Sequence, residues 1–122
     1  MANQTGIVLF AHGSRDERWR APVEAVAKRV AELDPSVRVV CAYLELVDPD
    51  LRAATATLAA SCVVAVRIVP LFLGMGKHVR EDVPLLLDEL RSAHPAIAFT
   101  LAPAVGEEPD VIELLARVAL RP

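Results

Sequence analysis

The sequence has little of what would mark a secreted, nucleic-acid-binding or membrane-embedded protein. Its 122 residues include only two cysteines, Cys41 and Cys62. Their spacing fits no zinc pattern, and each lies in apolar context. Both therefore read as buried free thiols of a reducing compartment. Basic residues give no excess either: 13 Lys and Arg stand against 16 Asp and Glu, a formal net charge of −3. A global attraction to nucleic acid is thereby excluded. The longest uncharged runs, 53–66 and 93–106, are too short to span a bilayer, so no membrane partner is expected. The opening MANQTGIVLF shows no basic leader and no cleavage-type segment, which points to the cytoplasm. Aromatic residues make up only 4%, yet apolar residues make up 54%. That surplus is high for a small monomer, and part of it is expected to face a second copy in a homodimer.

What is present is an alternation of strand and helix. Gly6–Ala11 is a continuous apolar run, as suits a strand buried on both faces. Ser14 and Glu17 have the spacing of a capping box, which predicts a helix from near Arg15 to about Leu33 with Val23, Val26, Ala27 and Val30 on one face. Asp34-Pro35 ends it. Val37–Leu44 reads as the second strand. Asp48-Pro49-Asp50 opens a second helix, with Pro49 in its first turn, that ends near Ala60. Val63–Val69 is the third strand and 70–77 a loop. Pro84 predicts a third helix that starts between Val79 and Val83, with Asp82 as its N-cap, and reaches Ala93. His94 reads as its C-terminal cap. Ile97–Leu101 and a helix from Glu107 to about Leu120 complete the chain. The fold class is therefore α/β, a three-layer sandwich around a mainly parallel four-stranded sheet, as one domain over 1–122.

Ligands on such sheets bind at the carboxyl ends of the strands. There the sequence supplies His12, Gly13, Ser14 and Arg15 after the first strand, Glu45 after the second, and Gly74, Gly76, Lys77, His78 and Arg80 after the third. Singly, each has a plain reading: a loop histidine, a histidine before a helix, a surface carboxylate, solvated cations. Trp19 reads as packing on the helix face, with the mouth of a cleft as its alternative place. Together, two imidazoles and a carboxylate from three strand ends form a set that suits Co, Fe, Ni or Zn. Three protein ligands leave coordination positions open, so a metal can be handed over, and the same groups can accept protons from an N–H.

Other chemistries lack their motifs. Ala11, not Arg, precedes His12-Gly13, against a histidine phosphatase. There is no G-x-S-x-G, no G-x-G-x-x-G after the first strand, and GMGKH has the wrong spacing for a P-loop. The segments LFAHGSRDERW, YLELVDPDL and VPLFLGMGKHVREDVPLLL do have a counterpart: over nearly its whole length the chain resembles a small, single-lobe sirohydrochlorin chelatase of the class II chelatase superfamily. The resemblance implies a chelatase-like lobe with flavodoxin-like winding. It implies ATP-independent insertion of Co2+, or of Fe2+ or Ni2+, into sirohydrochlorin, with His12, His78 and Glu45 as metal-binding and catalytic residues. Sirohydrochlorin carries eight carboxylates, which gives Arg15, Lys77 and Arg80 a docking role beside Ser14, while Gly74 and Gly76 let the backbone pass under a flat macrocycle. A single lobe would dimerise. A non-catalytic metal- or tetrapyrrole-binding delivery protein would use the same ligands, and a structural or regulatory flavodoxin-like domain would need none of them.

Overall fold

The computed structural model describes residues 4–122, so the first residues of the N-terminal segment discussed above lie outside it. Four strands, β1 (Thr5–Ala11), β2 (Arg38–Tyr43), β3 (Ala65–Pro70) and β4 (Ala98–Leu101), alternate with four helices, α1 (Ala21–Leu33), α2 (Leu51–Ala60), α3 (Lys77–Ala93) and α4 (Pro109–Ala119). The strands form one sheet in the order β2-β1-β3-β4, and every pair is parallel. The expected α/β class and parallel sheet are thus observed.

The sheet divides the interior into two apolar layers. Val8 and Phe10 of β1 and Val66 and Ile68 of β3 point to one side, where Leu51, Ala54 and Leu58 of α2 and Val83, Leu87 and Leu90 of α3 meet them. On the other side Leu9, Ala11 and Tyr43 pack with Val23 of α1. The helices follow from spacing. In α2 the buried residues are Leu51, Ala54, Thr55 and Leu58, a stripe at helical period. Asp50 caps it by accepting the Ala53 amide at 2.9 Å. Buried Thr55 donates its hydroxyl to the Leu51 carbonyl at 2.8 Å, so that hydroxyl is not stranded.

Four local expectations are corrected. Helix α1 starts at Ala21, because the Ser14–Glu17 box does not form. Asp16 takes the capping role instead, accepting the Arg18 amide at 2.9 Å over a short 3-10 turn, Glu17–Trp19. Pro22 then fixes the first turn of α1, and Val26 is left exposed beside the buried Val23. Pro49 sits before the Asp50 cap, not in the first turn of α2; its carbonyl accepts the Tyr43 amide at 2.9 Å. Helix α3 begins at Lys77 with Gly76 as N-cap, so Asp82 is not a cap and Pro84 lies inside the helix. Pro84 is on the exposed side, where the carbonyl it leaves unpaired can turn to water. Finally, Cys41 is half-buried but Cys62 is exposed. Cys62 follows the end of α2 at φ 61°, in a left-handed turn at the surface. His94 does end α3, its amide bonded to the Leu90 carbonyl at 2.9 Å.

The two thiols should therefore differ in reactivity. Burial, with Glu24 nearby, pushes the Cys41 thiol up from its ordinary value and keeps it from the thiolate form that reacts. Timed alkylation at neutral pH followed by mass spectrometry should label Cys62 first, and equal labelling would contradict this placement. Phe10 is 1% exposed at the centre of the larger layer. Phe10→Ala should cost about 3–5 kcal/mol in urea unfolding; a loss below about 1 kcal/mol would show that the layer collapses around the hole.

Candidate functional site

The strand order reverses at β1, whose neighbours β2 and β3 lead away in opposite directions. The crevice at the carboxyl ends of such a pair is where open α/β sheets take ligands. His12 is the first residue after β1 and stands at that point. The register places Ala11 beside Tyr43 and Phe10 beside Pro70, so His12 lies between the segments leaving β2 and β3. The Leu44 amide donates to the Ala11 carbonyl at 2.8 Å, and the Leu71 amide to the Phe10 carbonyl at 2.7 Å. Both flanking loops are therefore tied to β1 at the root of the site.

His12 itself is held from four directions. Its Nδ1 lies 3.3 Å from Glu45 Oε1, with side chains 48% and 42% exposed. Its ring lies 4.6 Å from that of Phe72 between centroids. Trp19 Nε1–H donates to the His12 carbonyl at 2.8 Å. Gly13 passes so close to the β2 loop that a Cβ there would fall 1.7 Å from the Glu45 carbonyl oxygen. No side chain other than hydrogen fits, and this contact brings Glu45 against the His12 loop. When neutral His12 donates its Nδ1–H to Glu45, the Nε2 lone pair is left for a metal or a proton.

The remaining sequence candidates are spread along the same rim. His78 and Lys77 occupy the first turn of α3, both exposed, with no side chain capping the helix. Among the described residues, no group of three or more His, Cys, Asp or Glu is close enough to hold a metal ion. His12 and Glu45 are thus brought together and His78 is not gathered with them. Arg15, Lys77 and Arg80 are exposed and form no ion pair among the described residues. Ser14 accepts the Asp16 amide at 3.1 Å, shaping the turn after His12. A Cβ at Gly74 or Gly76 would meet nothing within 4 Å, so both face open space.

Three residues carry more here than the sequence indicated. Trp19 was read as helix packing but is 52% exposed and braces the His12 loop. Leu46, beside Glu45, holds φ 72°, a left-handed conformation rare for a branched side chain, and is 60% exposed. Leu73 is 73% exposed on the loop after β3. Only Gly13, next to His12 in the AHGSR segment, offered a signal of the close approach; its partner, the Glu45 backbone, is set by β1–β2 register.

This geometry defines an α/β lobe of the chelatase type, with a histidine–carboxylate pair at the switch point of its sheet. A structure described as a cobalamin (vitamin B12) biosynthesis CbiX protein of Marinobacter aquaeolei VT8 superimposes with a TM-score of 0.82 at 32% identity, covering 94% of this chain and 93% of that one. The CbiX family model matches residues 6–121, and the chain belongs to the CbiX family. Sirohydrochlorin cobaltochelatase of Methanopyrus kandleri is 36% identical over 66% of this chain, and the match spans only 57% of that protein's length. That of Methanosarcina acetivorans is 33% identical, over 73% of this chain and 70% of its own.

Gly13→Ala tests whether the backbone approach holds the pair together. It should destabilise the fold by about 1–3 kcal/mol, read from urea unfolding at unchanged m-value. A variant as stable as the parent would mean the β2 loop is free to shift.

Proposed function

We propose that this protein inserts a divalent metal into sirohydrochlorin without ATP, with Co2+ as the metal and Fe2+ or Ni2+ as alternatives. The observation that carries the reading is the His12–Glu45 pair, exposed at the switch point and flanked by Trp19, Leu46 and Leu73, which are half or more exposed. Apolar surface beside an open imidazole suits a flat macrocycle whose centre must meet a metal. The names of the curated relatives support the same substrate.

In this reading His12, His78 and Glu45 hold the incoming metal and take up protons. Insertion exchanges one M2+ for the two N–H protons of the macrocycle, so groups that can bind either a metal or a proton serve both halves of the reaction. Glu45 keeps His12 oriented before the metal arrives. The open space at Gly74 and Gly76 admits the macrocycle edge. Arg15, Lys77, Arg80 and the amides at the start of α3, with Ser14 beside them, meet the substrate carboxylates. Two unpaired thiols suit the cytoplasm, where we place the reaction. Among the described residues no helix is long and apolar enough to cross a membrane. A homodimer is the working form.

Kinetics separate the two roles. His12→Ala and His78→Ala should each lower the insertion rate by about 10²-fold or more while tetrapyrrole binding persists. Lys77→Gln and Arg80→Gln should raise KM, keep turnover at saturation, and flatten its rise with salt, since exposed charges are screened over roughly 8–10 Å. The assay follows absorbance of sirohydrochlorin with each metal against a protein-free control. Histidine variants that insert metal at the parent rate would remove the metal assignment. Binding of tetrapyrrole without acceleration over the control would make this a delivery protein.

A further inference from the structure

A second recess lies apart from the His12–Glu45 pair, at the open edge of the sheet. Strand β2 is the outermost strand on its side. A cavity of about 350 Å³ follows it, walled by β2, by the start of α1, by α2 and by the loop between β2 and α2. Ligand pockets run from roughly 300 to 1,000 Å³, so this one suits a small molecule. Two polar side chains in its wall have no partner. Tyr43 is 3% exposed, yet its hydroxyl makes no hydrogen bond among the described residues. The half-buried Arg20 side chain makes neither a hydrogen bond nor an ion pair among them, and its Nε is fully buried. Buried polar groups in folded proteins are paired as a rule, and leaving one unpaired is costly.

Both groups are donors, and what they lack is an acceptor. Burial, with Cys41 and Glu24 nearby, pushes the Tyr43 hydroxyl up against the lowering effect of Arg20, so at neutral pH it keeps its proton to donate. A carboxylate fits a guanidinium fork and a phenol together. The same cavity carries Glu24 and Asp48, both exposed and without an ion-pair partner among the described residues. These two carboxylates outnumber the one cation, so a dianion such as phosphate is repelled. An ammonium group next to the ligand carboxylate turns that repulsion into attraction. Val40, Pro49 and Ala54 complete the wall with apolar surface, which suits a short aliphatic chain. A metal does not fit, since no group of three or more His, Cys, Asp or Glu among the described residues could hold one.

We propose that this cavity binds a small aliphatic α-amino acid. Its carboxylate lies on Arg20 and the Tyr43 hydroxyl, its ammonium group between Glu24 and Asp48, and its side chain against Val40, Pro49 and Ala54. The cavity is separate from the rim but shares its supports. Arg20 follows Trp19, whose indole holds the His12 carbonyl. Pro49, whose carbonyl accepts the Tyr43 amide, lies on the loop that carries Glu45. An occupant therefore rests against the segments that hold both members of the pair. The inference does not rest on the metal chemistry proposed for the rim.

The probe is L-valine, titrated into the isotope-labelled protein and followed by amide NMR. Shifts centred on Cys41, Tyr43 and Thr57 are expected, with a dissociation constant of about 1 mM or below. Two isosteres divide the contacts: isovalerate lacks the ammonium group and isobutylamine lacks the carboxylate. Each should bind at least tenfold more weakly than valine. Arg20→Gln and Glu24→Gln should weaken valine binding at least tenfold. The Arg20 side chain gives α1 no capping bond, so its variant should keep the parent spectrum away from the cavity; should it fail to fold, Glu24→Gln and the isosteres decide. No shift well above that concentration means that the cavity holds solvent only, which overturns the proposal. Isovalerate binding as tightly as valine overturns it too, by making this a plain carboxylate site. So do shifts centred on His12 and His78, which would seat valine at the rim, and so does valine binding that both variants leave unchanged.

Discussion

Everything at the site depends on the pairing of β1 with a parallel neighbour on each side. A strand in that position has its backbone amides and carbonyls used on both edges, so its end is held from two sides. The ladder continues one step beyond the strands, through Leu44 to Ala11 and Leu71 to Phe10. These bonds carry the order of the sheet into the loops. His12 is therefore presented by the rigid centre of the fold, although it sits on a loop and is half exposed. A histidine at the end of β4, an edge strand of four residues, would be held from one side only, by the bond from the Ala102 amide to the Ile68 carbonyl.

Strand identity was readable because buried parallel strands are written as apolar runs, and GIVLFA and VVAVRIV leave little else to choose. Helix starts were harder. Around residues 14–22 two capping solutions compete, and the local spacing of Ser14 and Glu17 loses to Asp16 and Pro22, which together fit a 3-10 turn before the helix. At α3 the presence of Pro84 pointed to a late start, because a proline inside a helix loses a hydrogen bond and crowds the preceding turn. The exposed position of that turn lowers the penalty, and the helix extends back to Gly76. His12 and Glu45 could be placed on one edge from the sequence. Their contact could not, since it depends on register and on the space left by a glycine. The exposure of Cys62 was hidden for a related reason: its neighbours in sequence are apolar, but its backbone turns left-handed just where α2 ends.

The site is open in a way that suits a metal in transit. Structural metal centres close their coordination with protein ligands, and such ions exchange slowly. Here the pair at the rim is half exposed and the third candidate ligand stands on a separate element. Its surroundings are divided between exposed apolar side chains and cations that form no ion pair among the described residues, and the two are separate groups of residues. The lobe has a comparable division on its outside. The face toward α2 and α3 is closed by long apolar side chains, whereas the other is half covered and the last helix stands away from it.

The close passage of Gly13 over the Glu45 backbone has a consequence for how such a lobe can diverge. The contact is between main chains, so it constrains residue 13 to glycine and leaves the side chain at 45 unconstrained by packing. A substitution at position 45 can then change the group that faces His12 while the two loops keep their relative position. One locked position thus frees its neighbour, and the partner offered to His12 becomes a trait that can vary without rebuilding the scaffold.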